Sequence, residues 1–412
     1  MLAATPTYVI QGAALPTHLC DKLDKINRDF LWGTKQERKR MHLVGWSKIT
    51  RAKKEGGLGI HATRARNLAL LVKLNWRLYM EKDALWAKVI LNKYCSQTRS
   101  NSKDPDKLPC SITWKAMKQG FPIFAKEICW NADRSSKLNF WMDPWIKGDT
   151  VRELIEGLLQ YNEDKLTIEE MFKDGCWNWE KLSFVMPSTI KEKINAIHIP
   201  LFGESKDFIS WKCTSNGEFS TTSAYKLAKP DENQNLKFLG GWIWELDTAP
   251  KVQHFLWLCN HRSVPVRETI AARGVVCDTI CPVCKNAEES LSHALRECPF
   301  VVDFWRNIKT PMTLQASFQE ELLDWLKSNC LCDPNIMVNG YPWRIQFPFA
   351  VWYLWKHKNR VVFENTTLNM SLHTYCINQS IEYFYCVGEA SKDKHYKVAQ
   401  VRWKKQGRDG LN

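Results

Sequence analysis

The chain has 412 residues, 44% of them hydrophobic, and carries 58 Lys+Arg against 44 Asp+Glu, a formal net charge of +14 with a pI near 9.1. That length and apolar content suffice for two to four packed domains and exclude a disordered chain, while the basic balance favours a polyanionic partner. No run approaches the ~20 apolar residues of a membrane span and the N-terminus lacks a basic n-region, so neither a spanning helix nor a signal peptide is expected.

The opening, "TPTYVIQGAALP", reads like the interior of a domain, so the chain is expected to be a piece of a longer protein. Leu19, Leu23, Ile26, Phe30 and Leu31 then recur at helical spacing, predicting an amphipathic helix that stops at the glycine of "FLWG". Between Lys22 and Arg77 there are 15 basic residues against 4 acidic ones. Within it, Lys35, Arg38, Lys39, Arg40, Lys48, Arg51, Lys53 and Lys54 are the candidate nucleic-acid contacts, with the aromatics of "FLWG" and "NWRLY" available for stacking unless they are core. The turn "KKEGGLGI" lacks the preceding strand and following Lys-Ser/Thr of a phosphate-binding loop. The stretch 65–94 predicts a long helix broken near Lys82-Asp83, with Leu71, Leu74, Leu78, Leu85 and Val89 facing inward.

Residues 153–180 are acidic, so a polyanion is expected to meet only one end of the molecule. "SKLNFWMDPW" alternates like a short strand into a turn, and "DFISWKCTSNGEFSTTSAYKLA" predicts a hairpin across Asn216-Gly217 followed by a helix. Helices are expected at "KVQHFLWLCNH", at "PVRETIAARG" with proline in its first turn, at "EESLSHALREC", and at "FPFAVWYLWKHKNRVVF" before a basic tail. The fold class predicted is mainly α with a small β component (α+β). Its segments are a helical 1–95, a connecting 96–216, a helical metal-binding 217–306, and a C-terminal 307–412.

Fifteen cysteines, an odd and mostly scattered set, fit a reducing compartment and hence an intracellular protein of the nucleus or cytoplasm. Four residues stand apart: Cys281-x2-Cys284-x8-His293-x4-Cys298. A Cys-x2-Cys knuckle points two thiolates to one side, and Zn²⁺ favours tetrahedral N/S coordination by four such groups, which leaves no open position and makes the zinc structural. Asn286 as N-cap with Glu289 reaching back would put His293 on a helix. Cys298, five residues on, would be turned about 140° away on a continuous α-helix, so the helix must unwind before it. Cys277 is read as a bystander.

The run from "TAPKVQHFLWLCNH" through "CPVCKNAEESLSHALRECPFVVDFW" closely resembles the zinc-binding region of plant LINE-type, non-LTR retrotransposon reverse transcriptases. "INRDFLWG", "HLVGWSKIT", "GGLGI" and "LWAKVILNKY" look like the thumb-like segment that follows the polymerase palm there, and "FWMDPW" and "GEFSTTSAYKL" like the connecting segment. The resemblance implies a palm with a Tyr/Phe-x-Asp-Asp loop and often a ribonuclease H domain, yet the sequence has no adjacent aspartates and stops at "VRWKKQGRDGLN". It therefore implies a remnant with neither polymerase nor nuclease chemistry, so no enzyme and no catalytic residues are expected. Partners expected are RNA or DNA on the basic N-terminal surface and a protein supplying the palm. A zinc-ordered protein-interaction module and a decayed element without present function are the alternatives.

Overall fold

A helix forms over Thr17–Trp32 (α1) and ends as expected at Gly33, whose φ of 66° is a left-handed conformation that costs glycine little. The computed structural model describes residues 10–34, 40–94, 110–173, 175–200, 206–229, 238–367 and 371–392. Its contacts gather the chain into two units, one of Met1–Arg40 with His61–Asn235, the other of Met41–Ile60 with Leu236–Asn412. The chain is mainly helical, and among the described residues its sheets are three two-stranded antiparallel pairs, the α-rich class with a small β component that the sequence predicts.

In the first unit, α2 (Thr63–Met80) and α3 (Leu85–Tyr94) are separated at the predicted break. Glu81 holds that corner by accepting from both Arg77 nitrogens at 2.7 and 2.8 Å and from the Trp86 indole at 3.0 Å. α2 packs against α4 (Ile112–Glu127), where a Cβ on Gly120 would lie 2.6 Å from the Leu71 carbonyl carbon. Asn75 donates to Leu71 O and Met117 O, both at 3.0 Å, and so joins the same two helices.

Several inward faces differ from the sequence pattern. Leu71 and Leu78 are buried, but Leu85 and Val89 are exposed, because α3 turns Ala87 and Ile90 toward Leu78 and Met117. On α1 the apolar stripe is only partly covered: Leu19, Ile26 and Phe30 are exposed and Leu23 and Leu31 half-buried, while Cys20 and Trp32 are buried.

The predicted hairpin at Asn216-Gly217 does not form as a strand pair. Phe208–Trp211 (β2) pairs instead with Ile128–Asn131 (β1), and the chain after it makes a tight turn closed by Trp211 N–H to Gly217 O at 2.7 Å. The partner strand is supplied from eighty residues away because Ile128, Ile209 and Trp211 share one core with Ala69, Val72, Phe124 and Ala224. The helix predicted after the turn is present at Thr221–Ala228, downstream of another at Ser188–Asn195. "SKLNFWMDPW" is likewise a compact turn, not a strand, in which Asn139 Oδ1 accepts from the backbone of Trp141 and Met142. Its Phe140, Trp141 and Trp145 are fully buried with Val151, Ile168 and Met171. The neighbouring acidic residues are used locally, since Glu153 and Glu170 complete capping boxes with Thr150 and Thr167.

The second unit is built of Pro250–Asn260, the short Arg267–Ala271, Pro299–Asn307, Leu322–Cys330, Trp343–Glu364 and Leu372–Lys392. Arg267–Ala271 begins after Val266, so the predicted proline, Pro265, precedes the helix and is not in its first turn. The basic tail lies outside the described residues. The core here is aromatic: Trp325 and Phe347 meet edge to face at 5.0 Å and both contact Trp305. The 41–60 stretch is tied in by Gly56 O, which accepts from the Trp257 indole at 2.8 Å and lies 2.7 Å from His261 Nε2, and by His42 O and Leu43 O, which accept from the Arg273 guanidinium at 3.0 and 2.5 Å.

Gly120→Ala is expected to destabilise the first unit by about 1–3 kcal/mol, since the added methyl meets backbone that cannot rotate away. Denaturant unfolding of the variant checks this, and an unchanged midpoint would mean the helices are less closely apposed than described.

Candidate metal centre

Between Thr279 and Glu289 the chain folds back on itself. Glu289 N–H donates to Thr279 O at 2.8 Å, Ile280 bridges Glu288, and Cys281 N–H donates to Ala287 O at 2.7 Å. At the tip, Lys285 takes a left-handed φ of 57° and its N–H closes on Cys281 O at 2.9 Å. The result presents Cys281 and Cys284 from one tight knuckle.

His293 comes from the first turn of the following helix, whose cap is Ser290: its hydroxyl accepts from His293 N–H at 3.0 Å. The predicted Asn286–Glu289 cap is thus displaced four residues onward, because Glu289 is committed elsewhere. From His293 to Glu297 the helix widens to a π-turn, and Cys298 N–H donates to His293 O at 2.9 Å. Closing the ring over five residues brings Cys298 back under His293, so the helix widens where the sequence suggested it would unwind.

Pro299 then starts the next helix without an N–H to offer, and the Leu295 carbonyl takes its hydrogen bond from the buried Trp305 indole at 2.9 Å instead.

The ligand atoms of Cys281, Cys284, His293 and Cys298 all lie within 4.8 Å of one another, and Cys284 Sγ is 3.3 Å from His293 Nε2. A tetrahedron of three Zn–S bonds of ~2.3 Å and one Zn–N bond of ~2.0 Å has edges of about 3.5–3.8 Å, close enough to these separations that the donor set fits zinc in both chemistry and spacing. The electrostatics point the same way. Cys281 is drawn down to about 4, first by its hydrogen bond from Cys298 and against its own burial, while the same bond and burial push Cys298 upward. Three thiols so close cannot all ionise against one another, and a divalent cation at their centre removes that conflict. Cys277 is exposed, with its sulfur 3.8 Å from Arg267 O and outside the group.

Two residues that support the group carry no spacing signal. Glu289 is fully buried, accepts from Arg267 N–H at 2.9 Å and pairs at 2.7 Å with Lys358, whose side chain is only 11% exposed. The pair fastens the knuckle to Trp343–Glu364, and Lys358 also lies 4.8 Å from the Trp355 ring centroid.

Of the predicted nucleic-acid residues, Lys35, Arg38 and Lys39 lie outside the described residues. Arg40 belongs to the first unit, whereas Lys48, Arg51, Lys53 and Lys54 belong to the second. Lys53 lies 4.6 Å from the Trp244 ring centroid. Trp32 is buried and Trp76 stacks on Phe219 at 5.8 Å, so these aromatics serve packing, and Phe30 is the exposed one of "FLWG".

Comparison with known proteins bears on the same region. Residues 219–305 match the family described as zinc-binding in reverse transcriptase, and all four candidate ligands fall inside the match. A protein of Arabidopsis thaliana that carries a provisional ribonuclease H name is 31% identical over 372 residues, which is 89% of this chain and 60% of that protein. An uncharacterized mitochondrial protein of the same plant is 24% identical over 148 residues, 36% of this chain and 96% of that one. The chain therefore spans about 60% of the length of the first relative, and its 219–305 region is related to reverse transcriptases.

Two outcomes follow from this geometry. Lys358→Met should cost about 3–5 kcal/mol by leaving the Glu289 carboxylate buried and uncompensated, and Glu289→Leu in the same chain should recover part of that loss; a double-mutant cycle by urea denaturation measures both. Cys284→Ser should raise amide exchange across 251–306 far more than in α1, because a structural metal contributes local folding free energy. Equal protection in both regions after chelation would contradict that.

Proposed function

We propose that the chain is a non-catalytic part of a plant LINE-type retrotransposon reverse transcriptase, in which a structural zinc orders the second unit and the basic surface binds nucleic acid inside the cell. The observation that carries the reading is the closed Cys3His donor set within the reverse-transcriptase-related residues. Four protein ligands leave no position for water or substrate, so zinc held there would supply folding free energy and no Lewis-acid chemistry. The absence of adjacent aspartates from the sequence supports a role without two-metal nucleotidyl transfer, and the +14 charge supports a polyanionic partner. In this reading the palm comes from a protein partner. The exposed Leu19, Ile26 and Phe30 on α1 favour the second reading, a protein-interaction module, since an apolar stripe left in solvent suits a docking helix.

The purified chain with template, primer, nucleotides and Mg²⁺ should show no polymerisation and leave an RNA–DNA hybrid uncut; activity lost on a single carboxylate substitution would overturn the non-catalytic reading. RNA affinity should fall steeply between 50 and 200 mM salt, by roughly tenfold or more for several phosphate contacts. Affinity indifferent to salt would favour the protein-interaction module.

A further inference from the structure

The second unit carries two open clefts of similar size and different charge. One, of about 450 Å³, has Lys48, Arg51 and Lys327 on its wall, but Glu55, Glu321 and Asp324 face them, so its charge is balanced. The other, of about 410 Å³, lies beside the end of Pro299–Asn307 and the 3-10 segment Met312–Gln319. Its wall includes Arg296, Arg306, Lys309, Gln315 and Phe318 with Trp305 behind, and no carboxylate is among its described lining residues.

Each group has a distinct standing. Arg296 is a fixed cation, partly compensated: its side chain is 13% exposed, it donates to Glu320 O at 2.8 Å and to Ser292 Oγ at 2.9 Å, it pairs with the exposed Glu297 at 3.5 Å, and it lies 5.6 Å from the Trp325 ring centroid. Arg306 is held only by an exposed contact to Asp303 at 3.0 Å, the kind of pair that contributes little and yields readily to a phosphate. Lys309 is exposed, at a left-handed φ of 59° just past the helix end. Phe318 is half-buried and meets Trp305 and Trp325 at 75° and 63°, so neither tryptophan stacks on it. Cations that neutralise phosphates beside an unstacked aromatic ring are the parts from which single-strand binding grooves are made.

We propose that this cleft is a subsite for single-stranded nucleic acid, with phosphates on Arg306 and Lys309 in the field of Arg296 and one base against Phe318. The assignment rests on the nucleic-acid reading above and places the contact on the zinc-bearing unit, on residues that do not belong to the basic N-terminal set.

The test uses the full, zinc-loaded chain and a fluorescent 12-nucleotide oligo(U) RNA, with anisotropy measured across salt. Arg306→Gln with Lys309→Gln should flatten the slope of log affinity against log salt by about 1.4, the share of two single-strand phosphate contacts. Phe318→Leu, which keeps apolar volume under the tryptophans, should weaken binding roughly fivefold or more at unchanged slope, because stacking carries no counterion release. Both variants should retain the wild-type melting temperature within a few degrees, and a duplex of equal length should compete less well than the single strand. An unaltered slope in the Arg306/Lys309 variant, with the loss appearing on Lys48→Gln/Arg51→Gln/Lys53→Gln/Lys54→Gln instead, would overturn the cleft while leaving nucleic-acid binding intact. Wild-type chain that binds the probe without salt dependence would overturn the broader reading and the subsite with it.

Discussion

Everything in the second unit's metal-binding half depends on how five residues are made to span one turn. An α-helix carries His293 and Cys298 to different sides, and the π-turn closed by Cys298 N–H on His293 O brings them to the same point. A π-turn is a rare and poorly stabilised local choice, so something must hold it. Pro299 removes the donor that would have continued the ladder, and Trp305 replaces it from the next helix. The indole is itself locked among Trp325, Trp343 and Phe347. A backbone irregularity between two candidate ligands is thereby fixed by the aromatic core, and the core and the ligand geometry stand or fall together.

The knuckle needs a second anchor, because a loop of nine residues with a lysine in the left-handed region buries little apolar surface of its own. Glu289 supplies it. A buried carboxylate is unfavourable alone, and here its charge is met by Lys358 while a backbone N–H fills another lone pair. Such a pair adds less stability than an apolar contact of the same size, but it tolerates only one register between the loop and Trp343–Glu364. A metal held by the four ligands would close the loop internally, and the ion pair fixes where the loop lies.

Much of this was legible in the sequence, and the failures share a cause. Periodicity located α1, α2, Pro250–Asn260 and Trp343–Glu364, and ligand spacing located the Cys3His group, because both signals are local. What periodicity could not say was which face is inner: α1 and α3 expose leucines, isoleucine, valine and phenylalanine that any moment would bury. The Asn216-Gly217 hairpin failed for the same reason, since Phe208–Trp211 finds its partner across eighty intervening residues in a core that local turn chemistry does not encode. Glu289 looked like a cap because a cap is a local role. Its actual partner, Lys358, lies 69 positions onward, and no spacing rule reaches that far.

Charge is legible only as a total. The acidic stretch that seemed to mark one end of the molecule is spent in part on its own backbone, with Glu153, Glu163 and Glu170 all accepting from neighbouring N–H groups. A carboxylate bound in this way still carries its charge but is held against the chain. The cations divide similarly. Lys53 lies over Trp244 and Lys358 is consumed by Glu289, whereas Arg306, whose acidic contact is the exposed Asp303, and Lys309 stand in a wall with no carboxylate among its described lining residues. A polyanion responds to the local field of uncompensated charges and not to their count along the sequence. The densest basic run in a chain is therefore a weaker guide to where phosphate would bind than a sparse pair of exposed cations on the wall of a cleft.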